Sequence, residues 1–481
     1  MKPNSCLPTT GAPAFHPFSH PTTLERKWLL ISIDAAVCMA AVVGAFWFWS
    51  FTRDQTLTEI LSERWYWMPG LVLSWCILAW MAELYESRYL TMPVSLLPRL
   101  LVVCACLLGG YLTAFFIIAP RVMLVRLPVI YFLVLTLLLA GGWRWGYLWL
   151  SARGMFRRRA LIVGAGWAGR TIAELLQQRG RSEFELVGFV DDDPVKLDSQ
   201  VAELPVVGTT ADVLSLARKY RVEVIILAVT HEMSEVMFEM LLECQSVGLP
   251  LVRMPDLYRT LTGRVPVEHI RQDWLLFNRG RGNAETYAYR VFVHLLDGLF
   301  VLGASVFLLL IGPFLALLIK LTSPGPVFYR QTRLGRMGRP FELFKFRSMV
   351  VDAEANSGAQ WAALDDPRVT SVGRLLRYTR LDELPQILNI LRGDIHLVGP
   401  RPERPEFMCE LEQVIPYYRA RLTVKPGLTG WAQVEYDYGY TLEGSQVKLE
   451  YDLYYIQNRS ILLDVKILLK TVAVVLTLRG T

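Results

Sequence analysis

The chain has 481 residues, which suits about three units rather than one core, and carries 50 Lys and Arg against 44 Asp and Glu, a formal charge of +6. Its 53% hydrophobic content and mean hydropathy of +0.32 exceed what a soluble globular protein carries and direct the excess into a membrane. The 7 cysteines are scattered without a C-x-x-C pair, against a disulfide framework or zinc site.

Residues 1–24 are rich in Pro, Thr and His, lack the basic start and short apolar core of a cleavable signal, and read as a disordered tail. Four apolar runs follow, Trp28–Phe51, Met68–Leu84, Leu100–Ile118 and Leu127–Leu150. Each is near the ~20 residues that cross a bilayer as a helix, which predicts a four-helix transmembrane bundle over 25–152. Trp47, Trp49, Trp65 and Trp67 suit an aromatic belt at one interface. Arg26 and Lys27 before the first run, and Arg153, Arg157, Arg158 and Arg159 after the fourth, place both ends in the cytoplasm. Asp34 is either functional, since intramembrane charge is costly, or paired within the bundle or at its edge. Much of the basic surplus lies beside apolar runs, which fits anionic lipid and substrate phosphate and not nucleic acid.

Residues 153–260 change pattern. "ALIVGAGWAGRTIAELLQQRG" predicts a strand, a Gly-x-Gly-x-x-Gly turn (Gly164, Gly166, Gly169) and an amphipathic helix. "FELVGFVDDDP" puts Asp191 at the end of a second strand, roughly 20 residues on, where a ribose-binding acid is expected in a Rossmann-like parallel α/β domain. The turn suits a nucleotide pyrophosphate, or is kept only for tight strand–helix packing. A reductase, sugar epimerase or dehydratase on this fold needs Tyr-x-x-x-Lys, which no tyrosine here provides.

Residues 261–288 read as a linker. The apolar run over 289–322 is long enough to span, yet basic residues flank both sides and Gly312-Pro313 interrupts it. A re-entrant hairpin helix broken at Pro313 satisfies length, kink and charge together; an ordinary fifth span is the alternative. Residues 323–481 read as a cytoplasmic-face α/β unit. In it, "SPGPVFYRQTRLGRMGRPFELFKFRSM" alternates as a hairpin carrying Arg333, Lys345 and Arg347, suited to a diphosphate or to a merely basic surface. "SVGRLLRYTRL" predicts a helix with Arg374 and Arg377 on one face and Arg380 beyond. Pro385 suits the first turn of a helix over "PQILNILRG", placing Asp382 and Glu383 at or before its N-terminus, where dipole and arginines keep them ionised. An ionised Asp facing phosphorus is a nucleophile and a divalent metal such as Mg²⁺ would ease anion repulsion; an acidic helix cap is the plainer alternative.

From about Tyr289 onward the chain resembles the bacterial polyprenyl-phosphate sugar-1-phosphate transferases, the monotopic phosphoglycosyl transferases. The shared words are the hairpin above, "DDPRVTSVGRLLRYTRLDELPQILNILRGD", "LVGPRP", "KPGLTGWAQV" and "YDLYYIQNRSILLDVKILLKT". The bundle and Rossmann-like domain resemble those of long members that start O-antigen, capsule or exopolysaccharide synthesis. The resemblance implies that Asp382 attacks a UDP-sugar, releases UMP and holds a phosphosugar that a polyprenyl phosphate then removes. It implies Mg²⁺, with Asp382 as ligand and Glu383 as ligand or base. Lys345, Arg377 and Arg401 match positions near substrate phosphates, and Pro313 the helix-breaking proline. It also implies a bacterial inner membrane, membrane lipid as a contact, a homodimer, and downstream glycosyltransferases as partners.

Three departures stand out. Gly312 precedes Pro313 where small members have serine, His396 replaces a serine before "LVGP", and "EYDYGYTLEG" replaces an Asn-Gly-Arg-Asn-like segment, so an expected arginine is missing. The branch resembles that of exopolysaccharide clusters, with the sugar left open. "ILLDVKILLKTVAVVLTL" is interrupted by Asp464, Lys466 and Lys470 and predicts an interfacial amphipathic helix.

Overall fold

The computed structural model describes residues 23–52, 56–86, 96–117, 126–155, 157–179, 183–230, 233–269, 286–351, 353, 366–436 and 441–476. Residues 1–22 of the expected tail and most of the linker lie outside them, while Thr23 and Leu24, expected in the tail, open the first helix. The chain divides into two compact units, Met1–Leu257 and Tyr258–Thr481.

In the first unit the apolar runs form α1 (Thr23–Ser50), α2 (Leu57–Arg64), α3 (Trp67–Met81), α4 (Leu96–Ile117) and α5 (Arg126–Ala152). Three are long and apolar enough to cross a membrane, at Glu25–Ser50, Leu96–Thr113 and Leu127–Ala152. The second run is shorter than expected: α3 has 15 residues, about 22 Å at ~1.5 Å per residue. Its end is drawn into a turn because Arg99 donates to the Ala82 carbonyl (2.8 Å) and Arg144 to that of Leu84 (2.8 Å). Small residues on α1, Cys38, Ala41 and Ala45, let Trp75 and Phe132 approach closely. Asp34 is fully buried and paired: Arg144 bridges it, Tyr85 donates to it at 2.9 Å and Trp143 at 2.8 Å. The belt is corrected at Trp49, which packs in the bundle core, whereas Trp47 and Trp65 are exposed. The Trp67 side chain lies outside the described residues.

Next come β1 (Arg158–Val163), α6 (Trp167–Arg179), β2 (Phe184–Val190), β3 (Gln200–Val201), β4 (Leu204–Gly208), α7 (Val213–Tyr220), β5 (Val224–Leu227), α8 (Glu235–Ser246) and β6 (Leu251–Arg253). The sheet order is β3-β4-β2-β1-β5-β6, parallel except for β3. Its β-branched strands are buried on both faces, as parallel strands are. A Cβ on Gly169 would lie 2.0 Å from the Gly164 carbonyl oxygen, so this glycine serves strand–helix packing; one on Gly166 would meet nothing. Asp191 is already engaged within the domain, accepting from the Ala165 amide (2.7 Å) and from Lys196 (3.2 Å).

Beyond α9 (Met254–Thr262), the second unit is built on α10 (Tyr287–Thr322), capped by Thr286. The expected break at Gly312-Pro313 does not appear: the helix continues through Pro313 for 36 residues. One proline removes a single backbone donor and bends a helix more readily than it ends one. Leu296, Phe300, Leu308, Ile311, Leu315 and Ile319 recur at helical spacing and pack on the rest of the unit. Both halves of α10 therefore lie on the same globular body. The opposite face, including Leu302, Leu309, Leu310 and Leu321, is exposed and apolar.

The hairpin forms as expected, β7 (Phe328–Leu334) antiparallel to β8 (Pro340–Phe346). It is followed by α11 (Ser371–Tyr378), a 3₁₀ turn over Leu381–Gln386, α12 (Ile387–Arg392), β9 (His396–Val398), α13 (Pro405–Val414), β10 (Gly427–Thr429), α14 (Trp431–Glu435), α15 (Leu442–Asn458) and α16 (Ile461–Leu476). On α16 the interrupting residues Asp464 and Lys466 point inward, and Tyr289 and Tyr455 donate to Asp464 at 2.7 and 2.9 Å. Leu462, Leu469 and Val472 face outward, which gives this helix an apolar outer face like that of α10.

Candidate active site

Arg380 takes a left-handed conformation (φ 58°) that ends α11 and starts the 3₁₀ turn holding Asp382 and Glu383. The carboxylates lie in the first turn of this 3₁₀ segment and ahead of α12, at a helix N-terminus as expected. Pro385 sits inside the 3₁₀ turn instead of opening the α-helix. Asn389 locks the following α12 to the hairpin: its Oδ1 accepts from the Phe344 amide (3.1 Å) and its Nδ2 donates to the Glu342 carbonyl (2.6 Å). The turn is thus fixed against β8, which carries Lys345.

Arg401 reaches the site from the Gly-Pro-Arg-Pro turn. That turn is held where β9 and β10 cross in parallel, and the crossing needs glycine: a Cβ on Gly427 would lie 2.1 Å from the Gly399 nitrogen. Below it, buried Arg421 donates to the Arg401 carbonyl (3.2 Å), Asp452 (2.8 Å), Glu403 (3.0 Å) and the Tyr418 hydroxyl (2.6 Å). Sequence reasoning missed Arg421, Asp452 and Asn389. An Asn and an Arg inside apolar-flanked segments were the available signal.

Asp382 and Glu383 are 6% and 8% exposed. Glu383 Oε1 lies 2.7 Å from Arg401, 3.1 Å from Lys345 and 4.0 Å from Arg380. Asp382 is held more loosely, its ion pair among the described residues being Lys345 at 4.0 Å. This asymmetry splits the pair. Burial pushes the Asp382 carboxyl above its ordinary range, with Lys345 opposing and Glu383 adding to the shift. Burial works upward on Glu383 too, but Arg401 and Lys345 outweigh it and hold that carboxyl well below its usual value. The pair is thus held unequally, with the charge of Glu383 favoured by its cations and that of Asp382 opposed by burial.

The dyad, Lys345, Arg377, Arg401, Arg333 and Arg347 all line one cavity of about 570 Å³. Arg377 donates to the Ser348 hydroxyl at 3.2 Å. Burial pulls Arg333 down to about 10, still charged at neutral pH, and it spans Gln331 (2.6 Å) and the Pro402 carbonyl (3.1 Å). Arg347 is committed elsewhere: its guanidinium donates to the Ser323 and Pro324 carbonyls at 2.7 and 2.8 Å, clamping the end of α10. Arg374 is exposed and outside the cavity lining. His396 is a satisfied strand residue, its Nδ1 2.7 Å from Asp297 of α10.

Among the described residues no cluster of three His, Cys, Asp or Glu side chains could hold a metal. The donor set fits a hard cation that takes one or two carboxylates and completes its shell with water and substrate phosphate, as Mg²⁺ does. Asp382 is the better ligand, since Glu383 Oε1 is already surrounded by cations.

Residues 288–478 match the family model described as bacterial sugar transferase. Residues 80–255 match a second, described as CoA-binding domain. A UDP-glucose:undecaprenyl-phosphate glucose-1-phosphate transferase of Xanthomonas campestris pv. campestris is 32% identical over 341 residues, 68% of this chain and 68% of that protein. The chain belongs to the bacterial sugar transferase family. Another relative, an exopolysaccharide production protein of Rhizobium leguminosarum bv. phaseoli, is 42% identical over 178 residues, 35% of this chain and 89% of that protein. A UDP-N-acetylgalactosamine-undecaprenyl-phosphate N-acetylgalactosaminephosphotransferase of Aeromonas hydrophila is 39% identical over 240 residues, 49% of this chain. The match spans 55% of that relative's length. The family's characteristic region thus coincides with the unit that holds the cavity, and the dyad falls inside it.

Proposed function

We propose that this membrane protein transfers a sugar 1-phosphate from a UDP-sugar to undecaprenyl phosphate, releasing UMP and starting exopolysaccharide, capsule or O-antigen assembly. The observation that carries this is the single cavity in which Asp382 and Glu383 meet Lys345, Arg377 and Arg401. A diphosphate entering it finds guanidinium forks and an ammonium in place of water, and such cations bind phosphate oxygens strongly. Ionised Asp382 attacks the sugar-bearing phosphorus through a carboxylate oxygen, and the bond to the UMP oxygen breaks with its electron pair leaving on UMP. A phosphate oxygen of the polyprenyl acceptor then attacks the same phosphorus and Asp382 departs as a carboxylate. Positioning and charge neutralisation provide most of the acceleration in such transfers. Glu383, fixed by Arg401 and Lys345, holds those cations in place beside the nucleophile. Bound Mg²⁺, held by Asp382, would offset the burial of that carboxylate and the negative charge of the diphosphate.

The acceptor is lipid-borne, and the outward apolar faces of α10 and α16 suit a unit resting in one leaflet. Packing of α10 along both halves on one globular body supports a helix seated in one leaflet over a crossing. Together with the flanking arginines, this supports a reading in which catalysis takes place at the cytoplasmic face of the bacterial inner membrane. A homodimer, and hand-over of the lipid-linked sugar to glycosyltransferases that extend it, belong to the same proposal. The test is UMP release by nanodisc-held protein from a panel of UDP-sugars, with polyprenyl phosphate and Mg²⁺. One or more donors should give UMP, and Asp382→Ala should abolish it; equal release by the variant would remove Asp382 from the chemistry.

A further inference from the structure

The wall of the cavity contributed by α15 takes no part in the phosphate chemistry above, and its composition differs from that of the dyad end. Thr441 caps α15, accepting from the Gly444 amide at 3.0 Å, which fixes the first turn. Ser445, Lys448 and Asp452 follow at i, i+3 and i+7, share one helix face and all line the cavity. Ser445 is 5% exposed and lines the cavity, so what remains accessible of its side chain is turned to a ligand there. A hydroxyl can both donate to and accept from such a ligand. Asp452 gives one oxygen to Arg421 at 2.8 Å and has its other oxygen free of hydrogen bonds among the described residues.

Charge orders the donor in the cavity. Lys345, Arg377 and Arg401 gather at the dyad end, whereas on the α15 wall Asp452 and Arg421 offset each other at 2.8 Å and Lys448 acts on the carboxylates of Asp452 and Glu403. The neutral part of the donor therefore belongs against α15. A hydroxyl and a carboxylate oxygen at successive turns suit the hydroxyls of a pyranose, which offer both donors and acceptors.

We propose that the α15 wall is the subsite for the transferred sugar, with Ser445 and Asp452 hydrogen-bonding its ring hydroxyls, a proposal that rests on reading the cavity as the UDP-sugar site. Ser445 is then a specificity-determining residue, because a site built to hydrogen-bond a substrate group penalises donors that lack it or displace it.

The experiment measures UMP release by Ser445→Val, Ser445→Thr and Asp452→Asn against wild type, with UDP-glucose and UDP-N-acetylglucosamine as donors and UMP as a competing ligand. Ser445→Val should raise KM for the preferred donor about three- to tenfold and change the kcat/KM ratio between the two donors. Inhibition by UMP, which carries no hexose, should stay within about twofold. Ser445→Thr keeps the hydroxyl and should return KM towards the wild-type value, which a packing defect would not allow. Unchanged KM and donor ratio in both Ser445→Val and Asp452→Asn would overturn the subsite, as would a parallel loss of UMP affinity, which would assign the wall to the nucleoside. If wild type released no UMP from any UDP-sugar, the transfer reading would fall first and the subsite with it.

Discussion

Replacing Gly427 by alanine probes how the Arg401 turn is held. The added Cβ would sit 2.1 Å from the Gly399 nitrogen and 2.6 Å from its Cα, whereas ordinary contact begins near 3.4 Å. Going from 2.1 to 3.4 Å means parting the backbones by about 1.3 Å, and backbone atoms cannot swing aside as side chains do. Two hydrogen bonds span the gap, Gly427 amide to Pro400 carbonyl (2.9 Å) and Gly399 amide to Thr429 carbonyl (2.8 Å). At about 1 kcal/mol each, their loss costs about 2 kcal/mol of stability. Arg401 lies two residues from Gly399 and is carried off its 2.7 Å contact with Glu383. Displacements of ~1 Å at a reacting centre cost on the order of 10²-fold. The assay pairs kcat/KM for UMP release with the thermal midpoint, using Gly303→Ala as a control because a Cβ there meets nothing. Retention of activity within twofold, with an unchanged midpoint, would refute the crossing as the support of Arg401.

Other consequences follow from the same geometry. Glu383→Gln removes the counter-charge of Lys345 and Arg401 and should lower stability by about 2 kcal/mol together with activity, read by thermal unfolding and UMP release. Burial raises Asp452 to about 6 and Glu450 to about 7. Such groups stabilise the fold below their unfolded values of 3.8 and 4.5 and lose that contribution as pH rises through about 6 and about 7. The thermal midpoint should therefore fall between roughly pH 5 and 8, and Glu450→Gln should flatten the upper part of that fall; a midpoint rising across the window would contradict it. Because burial also raises Asp382, kcat/KM should decline on the acid side as this carboxylate takes up its proton. Chelation by EDTA should stop UMP release and added Mg²⁺ restore it, with sustained release in excess EDTA counting against the metal.

The chemistry was more legible in the sequence than its mounting. Lys345, Arg377, Arg401 and the Asp382-Glu383 pair could be singled out through the resemblance of the words that hold them to the sugar-1-phosphate transferases, whereas spacing alone left the dyad open to a plain helix cap. The hairpin and the parallel α/β sheet were legible from alternation, glycine spacing and β-branched runs. What local pattern could not supply was tertiary. The 3₁₀ turn around Pro385 depends on Asn389 tying α12 to β8, and the unequal titration of the dyad depends on which carboxylate Arg401 reaches. Arg347 read as a phosphate ligand until the carbonyls of Ser323 and Pro324 claimed it. Likewise, Pro313 suggested a broken helix, but packing along both halves of α10 holds the helix together across it.

Intact-protein and peptide mass analysis after incubation with a turned-over UDP-sugar and Mg²⁺, without polyprenyl acceptor, tests the central claim most directly. The account predicts an added sugar phosphate on the peptide containing Asp382, discharged when polyprenyl phosphate is supplied and absent in Asp382→Asn. A protein that releases UMP into lipid-linked product yet never carries that adduct, or carries it on another residue, would contradict Asp382 as the nucleophile.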